Sequence, residues 1–269
     1  MTAHYHPTLV LISVLIAVLA SHTALDLTYS LTITRGRARI AWLAAGAFAM
    51  GSGIWSMHFT GMLAFRLPGT PISYEINRLV ASIVIAIGAS ALSLFIFTRP
   101  RISSGALIVS GLAMGVAISG MHYMGMAGFR APVLIQWNAL LVILSILIAV
   151  GASFVALNLA ARIRSATRHP IMLKMAGGVI MGLAIAGMHY TGMAAAHFDP
   201  AAAAPSAEAK VLATRALAIA VTAASMIILL VSSGASLATR NMARHRYYRA
   251  LIENASDLIV VVDETGIRK

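Results

Sequence analysis

The chain contains the sequence Met57-His58-Phe59-Thr60-Gly61-Met62 and repeats it twice in nearly the same form. Each copy lies near the end of a long apolar segment and follows a Met-Gly pair by one to two helical turns. Histidine and thioether side chains are the ligands that Cu(I) prefers, so the pattern indicates a candidate metal site. The other copies and the Met-Gly pairs are Met121-His122-Tyr123-Met124-Gly125-Met126, Met188-His189-Tyr190-Thr191-Gly192-Met193, Met50-Gly51, Met114-Gly115 and Met181-Gly182.

The composition is that of a membrane protein. Apolar residues make up 59% of the chain and charged residues 10%, whereas a soluble domain carries roughly a quarter charged residues. The mean hydropathy is +0.87. Seven apolar segments are long enough to cross a bilayer as helices, and too long and uniformly apolar for β-barrel strands. We therefore predict an all-α integral membrane protein, a seven-helix bundle with helices at residues 8–33, 40–65, 76–97, 102–129, 133–161, 171–196 and 211–237.

The spacing of the motif indicates a repeated helical hairpin. His58, His122 and His189 are separated by 64 and 67 residues, which is the length of two helices with their loops. The first six helices are therefore predicted to form three repeated helical hairpins, with a seventh helix left over. Internal repeats in membrane proteins bring equivalent positions together around a shared axis, so we expect the three motifs to face one another.

Basic residues between the helices predict the orientation. They concentrate in alternate loops, which the positive-inside rule places in the cytoplasm, so we expect the N-terminus outside and the C-terminus inside. The same asymmetry accounts for the net charge of +12 without a nucleic-acid partner. The histidines lie 19 to 21 residues beyond the predicted cytoplasmic helix ends, which places all three near the outer face. The cytoplasmic basic residues are Arg35, Arg37, Arg39, Arg99, Arg101, Arg162, Arg164, Arg168, Arg240, Arg244, Arg246 and Arg249.

The candidate metal ligands are the histidine and two flanking methionines of each copy. A histidine inside a membrane span is costly and indicates a functional role, whereas a methionine there is usually a flexible packing residue. The motif tyrosines equally suit an interfacial aromatic belt, and the motif glycines are more typical of close helix packing. The ligand set is His58, His122, His189, Met57, Met62, Met121, Met126, Met188 and Met193, with Tyr123, Tyr190, Met50, Met114, Met181 and His197 as accessory candidates.

These features resemble the MHYT domain, an integral-membrane sensor domain of bacterial signalling proteins. The resemblance covers residues 8–240 of a predicted domain at residues 1–240. The third copy matches the family name, while Phe59 and Met124 depart from it in the other two copies. The resemblance implies a multi-pass protein of the bacterial cytoplasmic (inner) membrane. It also implies a sensor that binds copper at the outer face and detects O2, CO, NO or a redox state.

The end of the chain resembles the beginning of a signalling module. Residues 241–254 are predicted to form a cytoplasmic linker helix, through which a homodimer could form. Residues 255–269 contain a strand-like run and a turn that resemble the start of a PAS domain. We therefore expect the chain to be part of a longer protein, and the family implies a cyclic-di-GMP or kinase output beyond Lys269. No enzyme activity is expected of this segment itself, because acidic residues are sparse and none lies in a motif.

Two other functions are consistent with the same residues. A copper transporter or channel is suggested by Met50, Met114 and Met181, about 12 Å below the histidines, although only His22 and Asp26 continue this path towards the cytoplasm. A haem protein could use histidines or methionines as axial ligands, provided that the bundle contains a cavity as wide as a porphyrin.

Overall fold

The computed structural model describes residues 4–33, 35–96, 103–165, 170–200 and 211–253. These described residues form helices joined by short strands. The helices are α1 (Pro7–Ile33), α2 (Gly36–Ala64), α3 (Ile76–Ile96), α4 (Ser104–Ala127), α5 (Ala139–Ser165), α6 (Pro170–Ala194) and α7 (Thr214–Glu253). The strands are β1 (His4–Tyr5), β2 (Phe65–Arg66), β3 (Ser73–Glu75), β4 (Phe129–Arg130), β5 (Val133–Trp137), β6 (Ala196–Pro200) and β7 (Val211–Ala213).

Within the described ranges, the six helices α1 to α6 are long and apolar enough to cross a membrane. The predicted all-α membrane class is therefore confirmed. The apolar part described in α7, Ala216–Ile228, is shorter, and a seventh membrane span stays a prediction. α7 continues unbroken over 40 residues, or roughly 60 Å, through most of the segment predicted to be a linker helix. The predicted start of a PAS domain, residues 255–269, lies outside the described residues.

The strands flank the helix pairs at the end of the bundle that carries the motifs. β1 pairs with β2, β3 with β4 and β5 with β6, all antiparallel, and β7 pairs with β3. Three repeats therefore follow one another along the chain, β1-α1-α2-β2, β3-α3-α4-β4 and β5-α5-α6-β6, and each has the order strand, helix, helix, strand. The predicted fifth helix is wrong at its start, because residues 133–137 form β5 and apolar composition alone does not separate a strand from a helix. The Asn138 side-chain oxygen caps α5 by accepting from the backbone N–H groups of Leu140 and Leu141 at 3.1 and 3.3 Å.

Helices α1, α3 and α5 form an outer ring around three central helices. α2, α4 and α6 carry the motifs and contact one another. α3 packs against α2 and α4, α5 packs against α4 and α6, and α1 packs against α6 and α2. α1 therefore closes the ring, and α7 packs outside it against α1 and α2.

The glycine of each Met-Gly pair allows a motif helix to approach its neighbour closely. A Cβ added at Gly51, Gly115 or Gly182 would lie only 2.5 to 2.6 Å from a backbone Cα atom of the adjacent helix. Carbon atoms in favourable contact are about 3.5–4.0 Å apart, so any larger residue would force the helices apart. The three equivalent glycines therefore make the same close helix contact in each repeat, with Ile87, Val150 and Val18 respectively.

Replacing Gly115 by Ala is expected to lower the free energy of unfolding by about 1–3 kcal/mol, because α4 and α5 must separate. Gly120→Ala is a matched control on the same helix. No atom lies within 4 Å of a Cβ added at Gly120, so this variant should be neutral or slightly stabilising. Thermal unfolding of the purified domain in detergent measures both changes. Equal midpoints for the two variants would contradict the close helix contact.

Candidate metal centre

The three motif histidines meet on the axis of the bundle and form what we call the histidine triad (His58, His122 and His189). Their Nδ1 atoms are 3.0 Å apart between His58 and His189, 3.1 Å between His122 and His58, and 3.3 Å between His189 and His122. All three side chains are fully buried, and their ring planes lie at 82° to 87° to one another. The triad therefore lies at a single depth, with one nitrogen of each ring close to the axis.

The motif glycines make room for the outer edges of these rings. The Nε2 atom of His58 lies against Gly125, that of His122 against Gly192, and that of His189 against Gly61. A Cβ added at any of these glycines would overlap the imidazole ring. Each repeat thus holds the histidine of another repeat, in cyclic order. The sequence carried a signal for this contact, because a glycine follows each histidine by three residues.

Hydrogen bonds alone do not satisfy the triad. A neutral imidazole carries one N–H, so a protonated Nδ1 only donates and a bare Nδ1 only accepts. Three mutually adjacent Nδ1 atoms therefore cannot be joined by three hydrogen bonds. The three Nε2 atoms are also buried and have no hydrogen-bond partner, which costs about 1–3 kcal/mol for each unpaired group. An interaction that engages all three Nδ1 atoms at once would satisfy the nitrogens that a ring of hydrogen bonds cannot.

The dimensions of the triad fit a small metal ion. The centre of the Nδ1 triangle lies about 1.8 Å from each nitrogen, close to the usual metal–imidazole distance of about 2.0–2.1 Å. Among the residues that the structure describes, the triad is a cluster of histidines that includes no carboxylate. The donor set is therefore three uncharged imidazole nitrogens, which suits copper or zinc better than calcium or magnesium.

Further side chains of the motif helices form layers along the same axis. The residues four and eight positions before each histidine share its helix face. Isoleucines form the nearer layer and methionines the farther one, and both line a cavity of about 20 Å³. That room is enough for one water or one diatomic molecule. The layers consist of Ile54, Ile118 and Ile185, followed by Met50, Met114 and Met181.

The other predicted site residues divide into two groups. The six methionines that flank the histidines are all buried, with exposed fractions of 0% to 2%, and each lies on a motif helix within four residues of a triad histidine. His197 lies on β6, where it pairs with Gln136, and its side chain is exposed. The structure therefore does not bring His197 into the triad.

The motif tyrosines bind serines of the neighbouring helices. The hydroxyl of Tyr123 lies 2.5 Å from that of Ser145, and the hydroxyl of Tyr190 lies 2.7 Å from that of Ser13. Both serines are the seventh residue of their helix. The first copy has Phe59 instead of a tyrosine, and there the Trp55 indole N–H donates to Ser82, the seventh residue of α3, at 3.1 Å. These hydrogen bonds therefore hold the motif helices against α1, α3 and α5.

Three phenylalanines, which the sequence analysis did not identify, cap the triad at the strand end. Phe65, Phe129 and Phe198 are buried, and their ring centroids are 4.8 to 6.3 Å apart. Tyr5 packs against Phe65 and Tyr190, and burial together with Tyr190 raises the pKa of Tyr5 to about 12. The cap is therefore apolar and uncharged at neutral pH. A phenylalanine within five residues after each motif was the signal available in the sequence.

A separate charged cluster lies towards the other end of the bundle. Lys174 on α6 donates to Asp26 on α1 at 2.8 Å, and the His22 Nε2 atom lies 3.5 Å from the same carboxylate. Sequence reasoning found the His22 and Asp26 pair but missed Lys174. An ammonium group bound to the carboxylate neutralises it, so this cluster joins α1 to α6 and does not extend the metal site.

The fold and site define a membrane-embedded triplicate helical repeat with a buried histidine triad. Residues 51–110, 115–172 and 182–252 match the MHYT family, described as the bacterial signalling protein N terminal repeat. The chain belongs to this family, as the resemblance predicted. Each matched repeat begins at or near the glycine of a Met-Gly pair and includes one complete motif.

The chain is similar to three bacterial signalling proteins. It is 45% identical over 194 residues to the bifunctional diguanylate cyclase/cyclic di-GMP phosphodiesterase MucR of Pseudomonas aeruginosa, covering 72% of this chain and 28% of MucR. It is 37% identical over 209 residues to the signaling protein YkoW of Bacillus subtilis (77% and 26%), and 38% identical over 193 residues to the cyclic di-GMP phosphodiesterase NbdA of Pseudomonas aeruginosa (71% and 24%). The chain thus spans about a quarter of the length of these relatives. No solved structure matches it.

Replacing Gly192 by Ala is expected to push His122 away from the triad, because the added methyl group overlaps the imidazole ring. We expect the free energy of unfolding of the metal-free domain to fall by about 1–3 kcal/mol. Gly187→Ala is the control on the same helix, since nothing lies within 4 Å of its added Cβ. Thermal unfolding after treatment with a chelator measures both variants. An unchanged midpoint for Gly192→Ala would show that the histidine does not occupy this contact.

Proposed function

We propose that this domain is the membrane sensory part of a bacterial signalling protein and holds a copper ion between His58, His122 and His189. Its stimulus is a diatomic gas (O2, CO or NO) or a redox state, and its output is a cytoplasmic module in the same protein. The observation that carries the proposal is the convergence of three buried Nδ1 atoms within 3.3 Å of one another. The relatives MucR and NbdA, named for cyclic-di-GMP turnover, support the signalling role.

The surroundings of the triad favour copper over the alternatives. Thioether side chains lie on each side of the histidines, and copper is the imidazole-binding metal that also binds thioethers well. Haem is less suitable, because the Nδ1 atoms are too close together for a porphyrin between them. When bound, copper would supply a redox-active centre that can bind a diatomic ligand. The cavity lined by Ile54, Ile118 and Ile185 is apolar and of the right size for such a molecule.

The residues of the chain hold and isolate the ion. Each imidazole would present the bare Nδ1 atom to the axis and carry its proton on Nε2, against a motif glycine. The apolar cap and the buried methionines exclude water, which otherwise competes for an open coordination position. We place the motif end of the bundle at the outer face of the bacterial inner membrane, because the loops at the other end carry more arginine.

Replacing His58, His122 or His189 by Ala is expected to remove most of the bound copper in each case, because the three nitrogens act together. His197→Ala is the control, since its side chain is exposed on β6. Elemental analysis and an absorption spectrum of the purified domain measure the metal and distinguish copper from haem. If all three replacements leave the copper content unchanged, the triad is a packing feature and the metal proposal fails.

A copper channel is the second candidate function. Met50, Met114 and Met181 line the space below the isoleucine layer, and a series of thioethers could pass a soft ion along the axis. The lower cavity also contains Leu25 and Leu157, and Lys174 lies beyond them. Neither leucine offers a ligand, and the Asp26 carboxylate is already neutralised by Lys174. These residues favour a sensor that retains its metal.

The output would leave through α7. This helix packs against α2, the helix that carries the first motif. Ile228 of α7 lies 3.2 Å from the position of a Cβ at Gly53, five residues before His58. A shift of α2 that accompanies a change at the triad therefore reaches α7 directly. Such a shift transmits a signal only if the ligand binds one helix arrangement more tightly than another.

Inserting one to four alanines after Thr239 in the full-length protein tests this route. Each residue turns the helix by about 100°, so output should vary with helical phase. Four insertions should restore more activity than two, because four residues complete about one turn. Cyclic-di-GMP turnover or kinase activity of the output module is the measurement. Equal activity in all four variants would mean that residues 240–253 act as a slack tether.

A further inference from the structure

We infer that the histidine triad selects a univalent ion, Cu(I), and discriminates against the divalent ions Cu(II) and Zn(II). The inference rests on the proposed function, which assigns a copper ion to the triad, and it adds the charge that this ion carries. Three features of the surroundings support it. They are the charges that the described residues place around the triad, the partners of the outer imidazole nitrogens, and the chemistry of the adjoining layers.

No anionic group reaches the triad from the part of the chain that the structure describes. That part contains four acidic residues. Asp26 and Glu75 form ion pairs with basic residues, Asp199 is exposed on β6, and Glu253 is the last residue of α7. None of them joins the three histidines in the cluster. An ion bound between the imidazoles would therefore keep its full charge, because a metal-bound histidine is itself neutral.

The burial of the triad makes the size of that charge important. His58, His122 and His189 are 0% exposed, so a bound ion has no contact with bulk water. The cost of removing an ion from water rises with the square of its charge, and a divalent ion therefore costs about four times as much to bury as a univalent one. Burial beside neutral ligands thus favours the univalent ion.

The outer nitrogens of the rings lead to the same conclusion. A metal-binding imidazole usually donates its other N–H to a carboxylate or a carbonyl oxygen, and this bond makes the ring a stronger ligand. In the triad, each Nε2 atom lies against a glycine of another repeat and has no hydrogen-bond partner among the described residues. The three imidazoles are therefore weaker donors than those of a site built to hold a divalent ion.

The layers next to the triad are apolar. The cap of Phe65, Phe129 and Phe198 lies on one side, and the isoleucine layer lies on the other. Cu(II) prefers square-planar or tetragonal sites with nitrogen and oxygen ligands, and Zn(II) takes a fourth ligand or a water molecule. The methionines that flank the histidines offer thioethers, which select Cu(I). Three converging nitrogens with soft neighbours therefore suit the reduced ion.

A univalent site also decides between the two stimuli of the proposed function. Oxidation of the ion would add a second positive charge where no described residue supplies a counter-charge. The bound copper should therefore remain Cu(I) in air, and a redox change is a poor stimulus. A diatomic gas is neutral and adds no charge to the site. The inference thus selects the gas.

The test measures how much the triad contributes to the binding of each ion. The purified domain in detergent competes with chelators of known affinity for Cu(I), kept reduced without oxygen, and separately for Zn(II) and Cu(II). The same titrations with His58→Ala correct for ions held by other histidines. We expect this replacement to weaken Cu(I) binding by about a hundredfold or more, and binding of either divalent ion by less than about threefold.

A matched pair of variants supplies or withholds the missing charge. Ile118 lies one helical turn before His122 and lines the axial cavity. Ile118→Asp places a carboxylate below the triad, whereas Ile118→Asn has nearly the same shape without the charge. We expect the folded Asp variant to bind Zn(II) about tenfold more tightly than the folded Asn variant. Ile185→Asp and Ile185→Asn repeat the comparison in the third repeat, should the first pair not fold.

The outcomes separate this inference from the metal proposal. Zn(II) binding that falls as steeply as Cu(I) binding in His58→Ala would overturn the inference and leave a metal site in place. Equal Zn(II) binding by the Asp and Asn variants would do the same. In air, the copper-loaded domain should give no Cu(II) electron paramagnetic resonance signal that depends on His58, and such a signal would also overturn the inference. If no ion depends on His58, the metal proposal fails and the inference fails with it.

Discussion

The contact between each histidine and a glycine of another repeat is the constraint on which the structure depends. An imidazole can reach the axis only where the facing helix has no Cβ, and His58 against Gly125 meets this condition, as do the two equivalent pairs. The same histidines cannot satisfy one another by hydrogen bonds in a ring of three. The packing therefore brings the three Nδ1 atoms together, although hydrogen bonds among them cannot satisfy all three. One six-residue pattern therefore sets both the close packing and the unsatisfied nitrogens.

The three motif helices can approach so closely because the outer ring supports them at repeated positions. Gly115 admits the backbone of α5, and a serine of the same helix binds Tyr123 one to two turns further along. The first repeat has no tyrosine, yet Trp55 makes the corresponding bond with Ser82. The hydroxyl missing at Phe59 is thus replaced by a different donor one turn away. This substitution indicates that the bond fastens helices and takes no part in the chemistry of the triad.

Sequence reasoning recovered the features that depend on local pattern. The membrane helices follow from apolar length, and the common depth of His58, His122 and His189 follows from their spacing. It could not predict that α1 closes the ring while α7 packs outside, because all these helices are similarly apolar and the choice rests on distant contacts. The strand β5 was missed for a related reason, since an apolar strand next to an apolar helix has no distinct composition. Lys174 was missed because its partner Asp26 lies on another helix.

Three equivalent helices around one proposed ion raise the question of how a signal acquires direction. A change at the centre of a symmetric triad moves α2, α4 and α6 alike, and no single element would report it. α7 breaks this symmetry, because it packs on α2 and α1 and buries Leu217, Val221 and Ile228. The movement of α2 is thus the one that an output helix can follow. In the proposed sensor, the triplicated site would bind the ion and the added seventh helix would transmit the change.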